Sequence, residues 1–323
     1  MHGEGFWNWG RGASAASKSS QTATPEMPSQ RGTSRRAFLR TLGAAATSSL
    51  LGCSSRFGMH KREMAKDMPY PDMVAHLNHN IDLINSWTCY KTTIKPHGGM
   101  LLALAPTLSA NMMVERPRNF RLQASIPTGN LVDLGSNDER FWFWMRNDSE
   151  PAILTARHDC LTTAQQQLPL PFEPDWLIEA LGVIPLDENE IEFEKHPTDP
   201  KRVLFRRQRN APDGSTVQLV STVDTCFGVI VEHSLTDRSG KAIAVTRMGE
   251  HQRDGKSGVV LAHHVELSWP QEKLGLNIRM GAIEVNPEKL SGKQFEMPQI
   301  ANCPVIDIGG ETQQASHTGR TKV

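Results

Sequence analysis

A run of four consecutive aromatic residues limits the possible fold of this chain more than any other feature of its sequence. It follows an apolar strand pattern and a polar turn, and so predicts the second strand of a β-hairpin. Because successive strand residues point to opposite faces, Phe141, Phe143 and Met145 share one side. Trp142 and Trp144 share the other. Both faces of this strand therefore have to be covered.

Two arrangements would cover both faces of the strand. In the first, the strand lies in the centre of a sheet with a helix packed over it as ordinary protein core. Alternatively, one of its faces lines a hydrophobic cavity that accepts an apolar ligand. The aromatic run by itself does not decide between the two.

The composition excludes some classes of function. The chain has 323 residues, with 35 basic and 35 acidic residues and a formal net charge of zero. A balanced charge without long runs of one sign lacks the electrostatic footprint of a nucleic-acid binder, so no nucleic-acid partner is expected. No apolar stretch reaches the ~20 residues that span a bilayer.

Residues 34–53 resemble a bacterial export signal. Arg35 and Arg36 stand before a moderately apolar run, which is typical of twin-arginine (Tat) export, and Leu51-Gly52-Cys53 resembles a lipobox. The resemblance implies that Cys53 is lipidated and anchors the protein to a membrane on the periplasmic side of the cell envelope. The alternative is a short amphipathic helix with a buried cysteine.

The remaining organisation follows from composition and periodicity. Residues 1–33 are mostly small and polar and are predicted to be a disordered extension, with Met27 as an alternative start. Residues 54–70 suit a tether, residues 71–298 a folded domain, and residues 299–323 a C-terminal tail.

The folded domain is predicted to be mainly β (α+β). Apolar residues at Met73, Leu77, Ile81 and Ile84 share one face of a helix. Short alternating runs follow and are predicted to be β-runs, of which about eleven form strands of a large curved antiparallel sheet with helices on one face. Besides the hairpin, they cover residues 87–94, 101–104, 108–115, 116–122, 152–157, 190–194, 202–207, 215–223, 227–235, 242–248, 258–268 and 274–282. A second, short helix is predicted over residues 175–182, where Trp176, Leu177 and Ala180 share a face.

The order of these motifs resembles the periplasmic lipoprotein-carrier family, the LolA-like and LolB-like outer-membrane lipoprotein-sorting proteins. The residues that carry the resemblance are Arg116-Pro117-Arg118-Asn119-Phe120, Asp133-Leu134-Gly135 and Phe141-Trp142-Phe143-Trp144. Leu134 departs from the Asp-Gly pair of the family and puts the turn geometry in question. The resemblance implies an incomplete β-barrel closed by helices as a lid over a hydrophobic cavity for acyl chains.

Candidate site residues follow from this resemblance and from the aromatic pattern. Phe120, Trp142, Trp144 and Trp176 are predicted to line the ligand cavity, where an acyl chain gains about 0.8 kcal/mol per buried methylene. Arg116 is predicted to lie at the cavity mouth and to hydrogen-bond either to the helical lid or to ester carbonyls of the ligand. Its alternative role is that of a surface arginine.

Groups typical of catalysis or metal binding stand in unsuitable patterns. Arg157-His158-Asp159-Cys160 places a thiol, an imidazole and a carboxylate side by side, whereas catalytic groups normally converge from distant parts of a chain. No metal or cofactor motif is present. Four further cysteines remain, Cys89, Cys160, Cys226 and Cys303, and the sequence does not assign any disulfide among them. The sequence therefore predicts a monomeric, non-catalytic envelope lipoprotein that binds acyl chains or lipoproteins, with an exported cofactor-binding enzyme or an envelope scaffold as alternatives.

Overall fold

The computed structural model describes residues 64–65, 67–98, 106–146, 150–165, 167–168, 174–211 and 214–310. The predicted export signal with Arg35, Arg36 and Cys53, most of the tether and the strand predicted over 101–104 lie outside the described residues. None of the helices in these ranges is long and apolar enough to cross a membrane.

Three helices and fifteen strands make up the described fold. The helices are α1 (Tyr70–Asp82), α2 (Leu161–Gln165) and α3 (Pro174–Ala180), with 3-10 turns at His158–Cys160, Glu188–Glu190 and Gly292–Phe295. The strands are β1 (Ser86–His97), β2 (Leu108–Glu115), β3 (Asn119–Ile126), β4 (Gly129–Ser136), β5 (Arg140–Met145), β6 (Ile153–Arg157), β7 (Glu192–Lys195), β8 (Arg202–Asn210), β9 (Thr216–Asp224), β10 (Val229–Thr236), β11 (Ala242–Arg253), β12 (Val260–Trp269), β13 (Leu274–Met280), β14 (Glu284–Val285) and β15 (Val305–Asp307).

All fifteen strands belong to one sheet. Their order is β15-β6-β5-β4-β3-β2-β1-β13-β12-β11-β10-β9-β8-β7, and β14 pairs with β1. Neighbouring strands are antiparallel except β15, which runs parallel to β6. Because β15 and β7 are unpaired edges, the sheet does not close into a barrel. The predicted fold class is confirmed, and the strand count rises above eleven partly because two very short strands, β14 and β15, join the sheet.

The inner face of the sheet, defined here as the side facing helix α3, carries the main hydrophobic core. Helix α3 buries Trp176, Leu177 and Ile178 against this face. The indole of Trp176 meets that of Trp269 on β12 edge to face, with ring centroids 6.1 Å apart. The sheet contributes Phe120, Leu122, Phe141, Phe143, Val217, Leu219, Leu235, Val265, Leu267 and Ile278.

Helix α1 lies over a second, smaller core. Met73, Val74 and Leu77 pack there with Val203 and Phe205 of β8. Asn78 and Asn80 then fix the helix to the rest of the fold. Asn78 exchanges two 2.8 Å hydrogen bonds with the backbone of Leu186, and Asn80 exchanges bonds of 3.0 and 2.7 Å with the backbone of Val260.

The packed region extends beyond the predicted domain bounds of 71 and 298. Met64 is 1% exposed and belongs to the smaller core. At the other end, β15 pairs with β6, and Ile308 is 3% exposed in the main core. A few apolar residues within a polar segment are enough to anchor it to the core.

Candidate ligand cavity

A small cavity lies between helix α1 and the inner face of the sheet. Its volume is about 70 Å³, and its walls come from α1, the end of α3, β1 and strands β10–β13. The apolar lining includes Leu77, Ile81, Trp87, Leu181, Met248 and Val265. This volume is about half of the ~150 Å³ that holds a benzene-sized ligand. As it stands, the cavity is therefore too small for an acyl chain.

The lining of the cavity carries no formal charge. None of its residues is Asp, Glu, Lys or Arg, and its titratable side chains are His233 and His251. Burial, with a smaller effect of the Arg207 charge, lowers the pKa of His233 to about 4. Burial also lowers the pKa of His251. Both imidazoles are therefore neutral near pH 7, and the cavity suits an uncharged, apolar group.

His233 belongs to a short polar row that the sequence analysis missed. Across β9, β10 and β11 the register aligns Ser221, His233 and Thr246. His233 is 2% exposed, and its Nδ1 lies 2.8 Å from Oγ of Ser221. No carboxylate hydrogen-bonds to His233 within the described ranges, so the pair lacks the third group that orients a catalytic imidazole. The signal in the sequence was a histidine two residues before Leu235, which places both side chains on the same face of β10.

Arg116 contacts the C-terminal end of helix α1. Its Nε donates a 2.6 Å hydrogen bond to the carbonyl of Ile84, and its Nη2 donates to the carbonyl of Ile81. The Ile81 carbonyl belongs to the last turn of α1 and also accepts the backbone N–H of Ile84, which lies just after the helix. The negative end of a helix attracts cations, so this is a favourable place for a guanidinium. Of the contacts predicted for Arg116, the structure contains the one to the helix.

The structure does not bring the four predicted aromatic residues together. The register aligns Phe120 with Ser136 and Phe141, whereas Arg121 aligns with Gly135 and Trp142. Phe120 and Trp142 therefore lie on opposite faces of the sheet. Trp144 shares the outer face with Trp142, and Trp176 lies in the inner core.

None of these four aromatic side chains is part of the cavity lining. Phe120, Trp142 and Trp176 are at most 2% exposed, and Trp144 is half-buried. Alternation along β5 shows that both faces of the strand are covered, but not which face curls inward. The cavity lies instead under α1, at strands β10–β13.

The outer face of the aromatic strand is covered by a polar network and the C-terminal segment. Asp133 accepts hydrogen bonds from Trp142 Nε1 (3.0 Å), from Gln123 (2.9 Å) and from Nε (3.2 Å) and Nη2 (2.8 Å) of Arg121. Arg121 also donates to the carbonyl of Gln294 at 2.8 Å. The aromatic hairpin is thus packed on the inner side by apolar core and on the outer side by paired charges.

The thiol at residue 160 has no activating environment. Cys160 contacts the carboxylate of Asp159 at 3.4 Å, and this hydrogen bond is the main cause that raises the pKa of the thiol. An activated cysteine needs the opposite shift. All four cysteines in the described residues are free.

Comparisons with known proteins give structural likenesses alone. No family model matches the chain, and no curated protein matches it. A DUF1329 family protein from Desulfovibrio piger has a TM-score of 0.47 and 11% identity, over 70% of this chain and 95% of that one. A putative outer membrane lipoprotein-sorting protein domain from Vibrio parahaemolyticus has a TM-score of 0.46 and 9% identity, over 69% and 95%. A LolA superfamily protein from Nitrosomonas europaea has a TM-score of 0.44 and 8% identity, over 69% and 96%.

Proposed function

We propose that this protein is a non-catalytic carrier or receiver of acyl chains, held in the bacterial cell envelope. The observation that supports it is the uncharged, apolar cavity between α1 and the inner face of an open, helix-covered sheet. Such a cavity offers acyl chains a dry surface and offers ions no partner. The acyl group belongs to a lipoprotein or to a lipid.

Ligand entry displaces the lid helix in this proposal. The polar contacts that hold α1 come from Asn78, Asn80 and Arg116. Each such hydrogen bond contributes about 1 kcal/mol net, and more where it is charge-assisted. A buried chain of about fourteen carbons gains about 10 kcal/mol. The chain therefore supplies enough free energy to open the lid, and the apolar face of α1 then repacks on the ligand.

The anchor at Cys53 remains part of the proposal. Labelled fatty acid should enter the wild-type protein and not Cys53→Ser. Arg35→Lys combined with Arg36→Lys should leave the precursor in the cytoplasm. Equal labelling of both proteins would contradict lipidation, and normal export of the double variant would contradict the twin-arginine route.

Ligand binding is tested on residues 54–323 with a fluorescent fatty acid. Ala262 lines the cavity on β12, so Ala262→Phe should fill it and weaken binding at least about tenfold while the protein stays folded. Trp144→Ala is the matched control, since Trp144 lies on the outer face. A wild-type protein that binds no acyl probe overturns the proposed function. An unchanged affinity in Ala262→Phe overturns the assignment of the cavity.

A further inference from the structure

Helix α3 and the residue after it contribute to the lining of two spaces of different character. Ala180, at the end of the helix, and Leu181, just after it, line the apolar cavity. Asp175 and Glu179 line a charged cleft of about 420 Å³. One short helix therefore borders both a space suited to an apolar chain and a space suited to a polar head.

The cleft is built mainly from arginine and carboxylate side chains. Its basic residues are Arg116, Arg118, Arg207 and Arg209, and its acidic residues are Asp175, Glu179 and Glu190. Arg118 lies 3.3 Å from Asp175, and its side chain is 43% exposed. Arg118 is therefore accessible from solvent.

Arg207 and Arg209 occupy inward positions of β8. In the register with β9, Arg207 aligns with Leu219 and Arg209 with Val217, both of which belong to the main core. Arginine is rarely placed on a face that packs into the core. Two arginines there require an anionic partner whose attraction offsets the cost of their desolvation.

Glu179 of α3 is one such anionic partner. Its carboxylate contacts the guanidinium of Arg207 and lies 3.3 Å from that of Arg209. The Arg207 Nε is nevertheless buried without a hydrogen-bond partner among the described residues. Burial and the charge of Arg209 also lower the pKa of the Arg207 guanidinium. The Arg207 site thus has a spare donor and gains from a second anion.

We propose that this cleft binds a phosphate group, held by Arg207 with Arg118 at the rim, and that the phosphate belongs to a lipid whose acyl chain occupies the cavity beyond α3. The acyl part rests on the proposed function. Phosphate oxygens match the planar donor fork of a guanidinium and accept several bonds at once. On binding, the phosphate takes over donors of Arg207 that contact Glu179, which loosens α3 and widens the way into the cavity.

Three ligands distinguish the contribution of the phosphate head group from that of the acyl chain. Lysophosphatidic acid carries both, monoacylglycerol with the same acyl chain lacks the phosphate, and glycerol 3-phosphate lacks the chain. We expect the wild-type protein to bind lysophosphatidic acid at least about tenfold more tightly than monoacylglycerol, and glycerol 3-phosphate weakly. Arg207→Gln should abolish this preference.

Matched variants control for folding and for general charge. Arg206→Gln removes the same charge from the outer face of β8, where Arg206 pairs with Glu194, and should keep the preference. Glu179→Gln removes the competing carboxylate and should strengthen binding of lysophosphatidic acid. If Arg207→Gln fails to fold, Arg118→Gln tests the cleft from its exposed rim, and the preference should fall.

The outcomes distinguish the two proposals. Equal binding of lysophosphatidic acid and monoacylglycerol overturns the phosphate site and leaves the acyl carrier intact. Binding of glycerol 3-phosphate as tight as that of the lysolipid supports the phosphate site and overturns its assignment to a lipid. Failure of both acylated probes overturns the proposed function itself. An equal loss of preference in Arg206→Gln overturns the role of Arg207.

Discussion

The indole Nε1 of Trp142 donates a 3.0 Å hydrogen bond to Oδ1 of Asp133 on the neighbouring strand. Trp142 is fully buried and Asp133 is 6% exposed, so the bond lies out of water. The guanidinium carbon of Arg121 stands 5.9 Å from the centre of the Trp142 ring. The outer aromatic face is thus covered by a satisfied polar network, while the inner face meets the apolar core.

Replacing Asp133 should destabilise the protein strongly. The Arg121 side chain is 12% exposed, and Asp133→Ala removes the carboxylate that pairs with its charge. The same substitution leaves the Trp142 indole N–H without its acceptor. Breaking a buried ion pair by removing one partner costs about 3 to 5 kcal/mol. Chemical denaturation measures the loss, and Asp138→Ala in the exposed turn is the control. A loss below about 1 kcal/mol would contradict the network.

Gly135 is required for the close approach of the Trp142 ring. A Cβ at this position would lie 2.1 Å from Cζ2 of Trp142, which is fully buried and has no room to move. We expect Gly135→Ala to cost about 1 to 3 kcal/mol of unfolding free energy. Gly255→Ala, which meets nothing within 4 Å, is the control. Equal midpoints for the two variants in thermal or denaturant unfolding would show that the ring repacks freely.

His233 should make the fold less stable in acid. Its pKa is about 4 in the folded protein against 6.5 for an unperturbed histidine, so the unfolded chain binds more protons between these values. The unfolding free energy therefore falls as the pH drops from 6.5 towards 4, by about 3 kcal/mol from this group. His233→Gln should flatten the dependence measured by denaturation across that range. His79→Gln, at an exposed position of α1, should keep the wild-type slope.

Arg116 should hold the end of the lid helix closed. Arg116→Ala removes the hydrogen bonds to the carbonyls of Ile84 and Ile81. Charge-assisted bonds of this kind contribute about 1.5 to 3 kcal/mol. We expect faster amide hydrogen exchange over the last turn of α1 and faster entry of an acyl probe. Arg238→Ala, at an exposed turn, should change neither, and unchanged exchange in Arg116→Ala would remove Arg116 from the lid.

Local patterns in the sequence determined the elements of this fold. The alternation that predicts strands over residues 108–115 and 202–207 reflects a period of two, and the apolar spacing from Met73 to Ile81 reflects a helical turn. Both periods belong to consecutive residues. The aromatic hairpin is local in the same sense.

The tertiary structure decided which faces meet. The pairing of β3, β4 and β5 separates Phe120 from Trp142, and the pairing of β8 with β9 turns Arg207 inward. It also assembles the cavity lining from residues as distant in the chain as Leu77 and Met280. Register and curvature depend on contacts between segments that are remote in the chain. The hydrophobic period of a strand therefore shows that its two faces differ, but not which face becomes the inner one.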